Sequence, residues 1–333
     1  MSSKRCVSGI GEVLIDIFDH GEATVGGAPF NVLFHVNQLI QAISVGQTFF
    51  ISAVGRDEWG RKIRSSIAAS GISLRYLAEV DHPTGTALVF EHGGGAGFEI
   101  QSNVAWDFIQ LQPSASELAS QCDAIVFGSL AQRSEVSRAS IQHFVAQVRG
   151  HRLYDVNLRR NTRSGLTGYS ADIIANSLKL ATLVKMNETE LEEVTALLGA
   201  QPYSTDSHER MLQGMEWLSK EFSLHAVAIT RGAKGARLFT EGRHLALPDS
   251  AFDQALVHPV GAGDAFAAGL LFGLMQDWTP EQSMELSNIL SSFVVMQVSA
   301  TPLLPAPLLA RIRALVSNAN TNDTFEASQT RRA

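Results

Sequence analysis

Short apolar runs rich in β-branched residues alternate with longer stretches of helical periodicity along the whole chain. Val7 to Ile10, Phe49 to Val54, Ala124 to Phe127, Leu153 to Val156, Leu183 to Met186 and Ala226 to Thr230 have the unbroken apolar character of strands covered on both faces. Helical patterns sit between most of them. Ser134 opens one, with Val136, Ile141, Phe144, Val145 and Val148 on a single stripe and Gly150 as the expected stop. Thr279-Pro280-Glu281-Gln282 opens another, combining capping-box spacing with proline at the first helical position. The alternation predicts an α/β layer fold.

Residues 84 to 103, TGTALVFEHGGGAGFEIQSN, have a different texture, two strand-like runs around a glycine-rich turn. They predict an antiparallel hairpin. With Glu12 to Val25 it would form a small sheet standing off the main one, suited to cover a site. Gly93 to Gly97 read as the hairpin tip and not as a phosphate loop, because no helical pattern follows them. No linker or internal repeat divides the chain, so residues 1 to 316 are expected to form one domain, with a lid from about 12 to 25 and 84 to 105. The polar, aperiodic tail 317 to 333 is expected to be disordered.

Composition narrows the partners. At 333 residues, 45% hydrophobic and 18% charged, with a net charge of -7, the chain can bury a large core and carries no overall positive field. Nucleic acid and anionic membrane are therefore not expected, and no stretch of about 18 uninterrupted apolar residues predicts a membrane span. The N-terminus MSSKRCVSGI lacks the long apolar core of an export signal. Cys6 and Cys122 lie far apart in sequence, with no zinc or disulfide spacing. They read as two reduced buried thiols, in keeping with a cytoplasmic location.

Candidate chemistry concentrates in two stretches. In VHPVGAGDAFAAGLLFGL the turn Gly261-Ala262-Gly263-Asp264 runs straight into an apolar helix. Its glycines allow close approach of a ligand, and the first N–H groups of a helix, which lack intrahelical partners, can hold an anion. The turn is equally consistent with a tight strand-to-helix bend capped by Asp264. Near the N-terminus, Asp16 follows an apolar run, then come Gly26-Gly27 and Asn31 at the start of a helical pattern. A carboxylate, an amide and exposed glycine backbone suit a polyhydroxylated ligand; they also suit a turn, a bend and a cap. Two familiar nucleotide signatures are absent. Phe266 stands where GxGxxG needs its third glycine, and no GxxxxGK[ST] occurs.

GGAPFN at 26 to 31, GRDEWG at 55 to 60, DVNLR at 155 to 159, NETE at 187 to 190, TRGAKG at 230 to 235 and VGAGDAF at 260 to 266 occur in the order and spacing of the ribokinase-like sugar kinases, the phosphofructokinase B group. The chain resembles that family from about residue 7 to 310. GGAPFN and the surrounding GEVLID are most similar to its fructokinase branch. The resemblance implies a three-layer α/β/α core with a mostly parallel central sheet and a small β-sheet lid over the sugar. It implies ATP and Mg²⁺, with Asp264 as general base and the Gly261, Ala262 and Gly263 amides as anion hole. By the same resemblance Asp16, Gly26, Gly27, Asn31, Asn157 and Arg159 bind sugar. Asn187, Thr230, Gly232, Gly235 and Asn288 fall at nucleotide-binding positions, and Glu190 at one that acts on magnesium through water. Asn187 to Glu190 also has capping-box spacing. Trp106 reads as lid core and not as a sugar-stacking platform. A homodimer paired through the lid is a further implication.

One departure stands out. Much of the family has Asp-Thr before VGAGD, the Asp opening a loop for a monovalent cation; here His258-Pro259 take their place. Neither replaces a carboxylate around potassium, so little dependence on K⁺ is expected. The expected function is ATP-dependent phosphorylation of fructose. The alternatives are the same transfer to 2-keto-3-deoxygluconate, ribose, an aminosugar or a nucleoside, or a non-catalytic sugar or nucleotide sensor.

Overall fold

The computed structural model describes residues 4–19, 21–44, 46–92, 95–160, 168–200, 204–248 and 260–315. His258-Pro259 and the 317–333 tail lie outside these. In chain order the strands are β1 (Arg5–Ile10), β2 (Leu14–Phe18), β3 (Ala23–Gly26), β4 (Gly46–Gly55), β5 (Leu77–Val80), β6 (Thr86–His92), β7 (Gly95–Ile100), β8 (Ala124–Gly128), β9 (His151–Asp155), β10 (Leu183–Asn187), β11 (Ala226–Thr230), β12 (Ala236–Thr240) and β13 (Arg243–Leu247). The helices are α1 (Ala28–Ile43), α2 (Glu58–Ser70), α3 (Ala115–Gln121), α4 (Glu135–Gln147), α5 (Ala171–Leu180), α6 (Glu188–Leu197), α7 (Ser207–Phe222), α8 (Ala262–Met275) and α9 (Pro280–Val294).

The main sheet runs β13-β12-β11-β10-β9-β8-β1-β4-β5. Pairing is parallel from β5 through to β11 and antiparallel for the β11-β12-β13 edge. Side chains alternate across it, as a pleated strand demands. Val126 faces a core shared with α1, α8 and α9, while Ile125 and Phe127 face the core under α3 to α7. Helices thus cover both faces, which makes the three-layer α/β/α arrangement expected above. The strands read as unbroken apolar runs because water reaches neither face.

Helix α8 is apolar around almost its whole circumference because it lies between the sheet and α9. Glycines permit that depth. A Cβ on Gly269 would stand 2.6 Å from the Ser287 Cα, and one on Gly273 2.8 Å from the Ser283 Cα, so the helices touch backbone to backbone. Helix α9 begins as its sequence predicts, with Thr279 and Gln282 forming a capping box and Pro280 inside the first turn. Helix α4 differs. Ser134 occupies the N-cap position, but its hydroxyl donates to Asp107 O at 2.5 Å and not to the helix. The helix ends at Gln147, and Gly150 is needed instead for its approach to the Asp123 carbonyl, which a Cβ would meet at 2.0 Å.

The second sheet has the order β3-β2-β6-β7, with β6 and β7 forming the predicted antiparallel hairpin and β2 running parallel to β6. Its base is tied to the core. Trp106 is fully buried, with the Arg133 guanidinium 3.9 Å from its ring centre, and Arg133 Nε and Nη2 each reach an Asp107 oxygen at 2.8 Å. The indole therefore serves the lid's foundation, as expected. GRDEWG has a structural role as well. Asp57 caps α2 through the Gly60 N–H and also accepts the Thr84 N–H and hydroxyl, which anchors the chain entering β6.

Folding brings the cysteines together. Cys6 on β1 and Cys122 before β8 place their sulfurs 3.7 Å apart, and Cys6 is only half-buried.

Candidate active site

The carboxyl ends of β9, β10 and β11, the start of α8, the start of α1 and the lid strands β2 and β7 converge on one cleft of about 290 Å³. Ligand sites of open parallel sheets form at this edge, where the strands leave crevices between their connections. Asp16, Gly27, Asn31, Asn157, Arg159, Asn187, Thr230, Gly261, Gly263 and Asp264 all line it. A larger hollow of about 730 Å³ opens between α6 and α7, lined by Glu188, Glu192, Arg210 and Lys234, and none of the site residues named from the sequence lines it.

The N-terminal glycines are conformational requirements. Gly27 caps α1 at φ +118°, and a Cβ there would sit 2.5 Å from the Glu12 carbonyl oxygen. A Cβ on Gly26 would sit 2.0 Å from Asp16 Oδ2, so this glycine makes room for the Asp16 carboxylate against the backbone. One turn into α1, Asn31 is 4% exposed and donates from Nδ2 to Asp264 Oδ2 at 2.8 Å. Its Oδ1 is buried without a partner among the described residues.

At α8 the N-cap is Gly261, in the left-handed region at φ +84°, and no side chain caps the helix. Asp264 is therefore not the cap. It stands three residues inside, held by Asn31, and leaves the leading N–H groups of the turn without side-chain acceptors. Burial raises the Asp264 pKa to about 6, with the Asp155 charge adding to the effect and Lys185, Asn31 and Arg159 opposing it. Burial likewise pushes Glu12 and Asp16 up to about 7, against the lowering influence of Arg159.

Glu12, Lys185 and its partner Asp155 escaped sequence reasoning. Glu12 is 2% exposed, lines the cleft and keeps Oε2 without a described partner. Lys185 is buried in β10 with Nζ 3.2 Å from Asp155 Oδ1, and lies 2.8 Å from where a Cβ on Gly263 would be. Burial alone would lower the lysine pKa, but the charges of Asp155, Glu190 and Asp264 hold it above its ordinary value. A cation thus stays beside the helix start. The signal was available: a lysine inside the apolar run LVKMN is rarely buried unless paired.

Other expected residues separate. Arg159 lies 4.8 Å from the Phe98 ring of β7, which places a charge at the lid's edge of the cleft. Asn187 and Glu190 form a capping box for α6, and Glu190 Oε1 also accepts the Leu158 N–H at 2.8 Å. Glu190 thereby fixes the turn that carries Asn157 and Arg159, and it lies behind the cleft wall. Gly232 and Gly235 shape the short turn after β11 at φ +58° and +75°, and Gly235 lies close to the Pro248 carbonyl. Neither lines the described cleft, and neither does Asn288, which is half-buried on α9.

A carboxylate poised near neutrality, unpaired amides of a helix start and a buried ammonium in one cleft can accept a proton from an alcohol while stabilising a transferring anion. Comparison with known proteins agrees. The model of the pfkB family carbohydrate kinases matches residues 4–307. A fructokinase of Klebsiella pneumoniae is 25% identical over 287 residues, spanning 84% of this chain and 87% of the relative. An aminoimidazole riboside kinase of Salmonella typhimurium is 26% identical over 274 residues, spanning 80% of this chain and 79% of its own. The crystal structure of fructokinase from Vibrio cholerae, in fructose, ADP and calcium ion bound form, superposes with a TM-score of 0.74 at 26% identity, over 93% of this chain and 99% of that one.

Proposed function

Because the chain belongs to the pfkB family of carbohydrate kinases, we propose that it transfers the γ-phosphoryl group of ATP to a hydroxyl of fructose. The convergence of Asp264, the bare start of α8 and the Asp16, Gly27 and Asn31 cluster in a single cleft carries this reading. Asp264 takes the proton of the attacking hydroxyl. Its pKa near 6 keeps it ionised at neutral pH yet basic enough to accept a proton late in a loose transfer. The amides of Gly261, Ala262 and Gly263, with the Lys185 ammonium behind them, stabilise charge on the phosphoryl oxygens. Asp16, Asn31 through its unpaired Oδ1, Asn157 and Arg159 orient the sugar.

Magnesium would enter on the nucleotide, since it retains most of its waters and prefers phosphate oxygens. Among the described residues no cluster of three acidic, histidine or cysteine side chains would hold it alone. Asp155 Oδ2, buried near Lys185 without a partner among the described residues, supports a site completed by a charged ligand. Asn187 and Thr230 flank the phosphate side, and Glu190, whose two oxygens accept the Asn187 and Leu158 N–H groups, would act on a nucleotide-bound magnesium only indirectly, by holding those segments in place. A homodimer across the lid would cover Leu88, which is 41% exposed on β6. We place the protein in the cytoplasm, where ATP is at hand as phosphoryl donor.

The relative that phosphorylates a riboside supports a second acceptor class for the same cleft. The test is ADP release with ketoses, aldoses, keto-acids and nucleosides at low concentration. Fructose should give the highest kcat/KM; a nucleoside or keto-acid in that place would replace the substrate and keep the mechanism. Asp264→Asn should lose about 10³-fold in kcat while still binding sugar. Unchanged turnover would remove the mechanism.

A further inference from the structure

At the opposite edge of the sheet from the cleft, β1 and β8 are neighbouring parallel strands with Val7 beside Ala124. Their N-terminal ends are pinned: Asp123 N donates to Cys6 O at 2.8 Å, and Cys6 N donates to Asp123 Oδ2 at 2.7 Å. This clamp sets the Cys6 and Cys122 sulfurs 3.7 Å apart on the same face of the sheet. Ser8 Oγ lies 2.9 Å from Cys122 Sγ. Closing to a disulfide bond of about 2.05 Å asks each sulfur to move by less than about 1 Å. Cys122 is 5% exposed, whereas Cys6 is half-buried and open to a small reagent. Hydrogen bonds from Cys6 and Ser8 lower the Cys122 pKa, while its bond to Cys122 and burial raise that of Cys6.

We propose that Cys6 and Cys122 form an oxidisable dithiol site that low-molecular-weight disulfides of the glutathione type convert into an intramolecular disulfide across β1 and β8. Cys6, the accessible thiol, passes its proton to the Cys122 sulfur 3.7 Å away as it attacks one sulfur of the small disulfide, forming a mixed disulfide and releasing one small thiolate. Cys122 then attacks the Cys6 sulfur, expels the second small thiolate and closes the protein disulfide. The two thiol protons pass to the two released thiolates. The protein dithiol is oxidised by two electrons, the small disulfide is reduced to two thiols, and no other reactant is needed.

The crosslink would join segments separated by the whole lid and the acceptor side of the cleft. It should therefore stabilise the fold chiefly by restricting the unfolded chain. The inference is independent of the acceptor specificity proposed above.

The full chain is equilibrated in buffers of rising oxidised-to-reduced glutathione ratio, quenched with an alkylating reagent and weighed intact. The expected product is monomeric protein lighter by two hydrogens, with no alkylated cysteine, a Cys6–Cys122 linked peptide and a Tm several degrees above the reduced form. Cys6→Ser and Cys122→Ser should each keep one alkylatable or glutathionylated thiol and show no such rise. Two alkylatable cysteines at the highest oxidised ratio would overturn the proposal. So would a stable glutathione adduct on Cys6, a crosslink between two chains, or a crosslinked monomer whose Tm does not rise.

Discussion

Replacing Asn31 by alanine removes the one side-chain hydrogen bond that the Asp264 carboxylate receives among the described residues, a 2.8 Å contact from Nδ2. A hydrogen bond to a charged group contributes about 1.5–3 kcal/mol. Asn31 stabilises the ionised acid, so its loss must move the Asp264 pKa upward, from about 6. At about 1.4 kcal/mol per pH unit the expected rise is about one to two units. The acid limb of kcat should therefore move by that amount, with turnover falling about tenfold at pH 6 and recovering to within about twofold at pH 8.5. Initial rates at saturating ATP and sugar isolate this effect. Asn31 lines the same cleft, with Oδ1 unpaired among the described residues, so the variant should separately raise KM for the sugar. Alanine suits the helical position, and what it leaves behind is Asp264 Oδ2 without its Asn31 donor, which is the perturbation the pH profile reads. An acid limb that stays in place, or a loss of kcat equal at every pH, would refute Asp264 as the ionising base held by Asn31.

Three further outcomes follow from named contacts. Glu12 has its pKa raised by burial from 4.5 to about 7, so its contribution to stability is complete below pH 4.5 and is lost as pH rises through 7. Urea unfolding of the unliganded protein should show Glu12→Gln more stable than the parent by about 3 kcal/mol at pH 8 and by less than about 1 kcal/mol at pH 5; an equal difference at both would contradict the assignment. Gly269→Ala places a methyl 2.6 Å from the Ser287 Cα, and prising α9 from α8 should cost about 1–3 kcal/mol, seen as a fall in Tm that an unchanged melting curve would disprove. With His258-Pro259 before the turn, kcat in potassium chloride and in choline chloride should agree within about twofold, whereas many-fold stimulation by potassium would show a cation site built from other groups.

Much of the architecture was legible because its causes are local. The buried parallel strands announce themselves as unbroken apolar runs, the α9 start as Thr279-Pro280 with Gln282, and the lid hairpin as strand-like segments around glycines. The motif order identified the family that the comparisons establish. Local patterns mislead where a residue answers to a distant partner. Ser134 turns its hydroxyl to Asp107 instead of its helix, and Gly150 serves the Asp123 carbonyl instead of ending α4.

By itself the sequence determined the alternation of elements, the caps, the glycine turns and the set of polar residues available for chemistry, since these depend on neighbours a few positions away. Tertiary structure decided which polar residues share one electrostatic environment. Glu12, Asp155, Lys185 and Asp264 come from four separate segments, and their protonation is governed by mutual distance and lost hydration that appear only on folding. Glu190 bonds both its own helix start and the Leu158 turn, and two cysteines far apart in sequence meet across adjacent strands. Burial and charge proximity act through space, and for this protein that is where the Asp264 carboxyl is raised from the ordinary aspartate range to about 6.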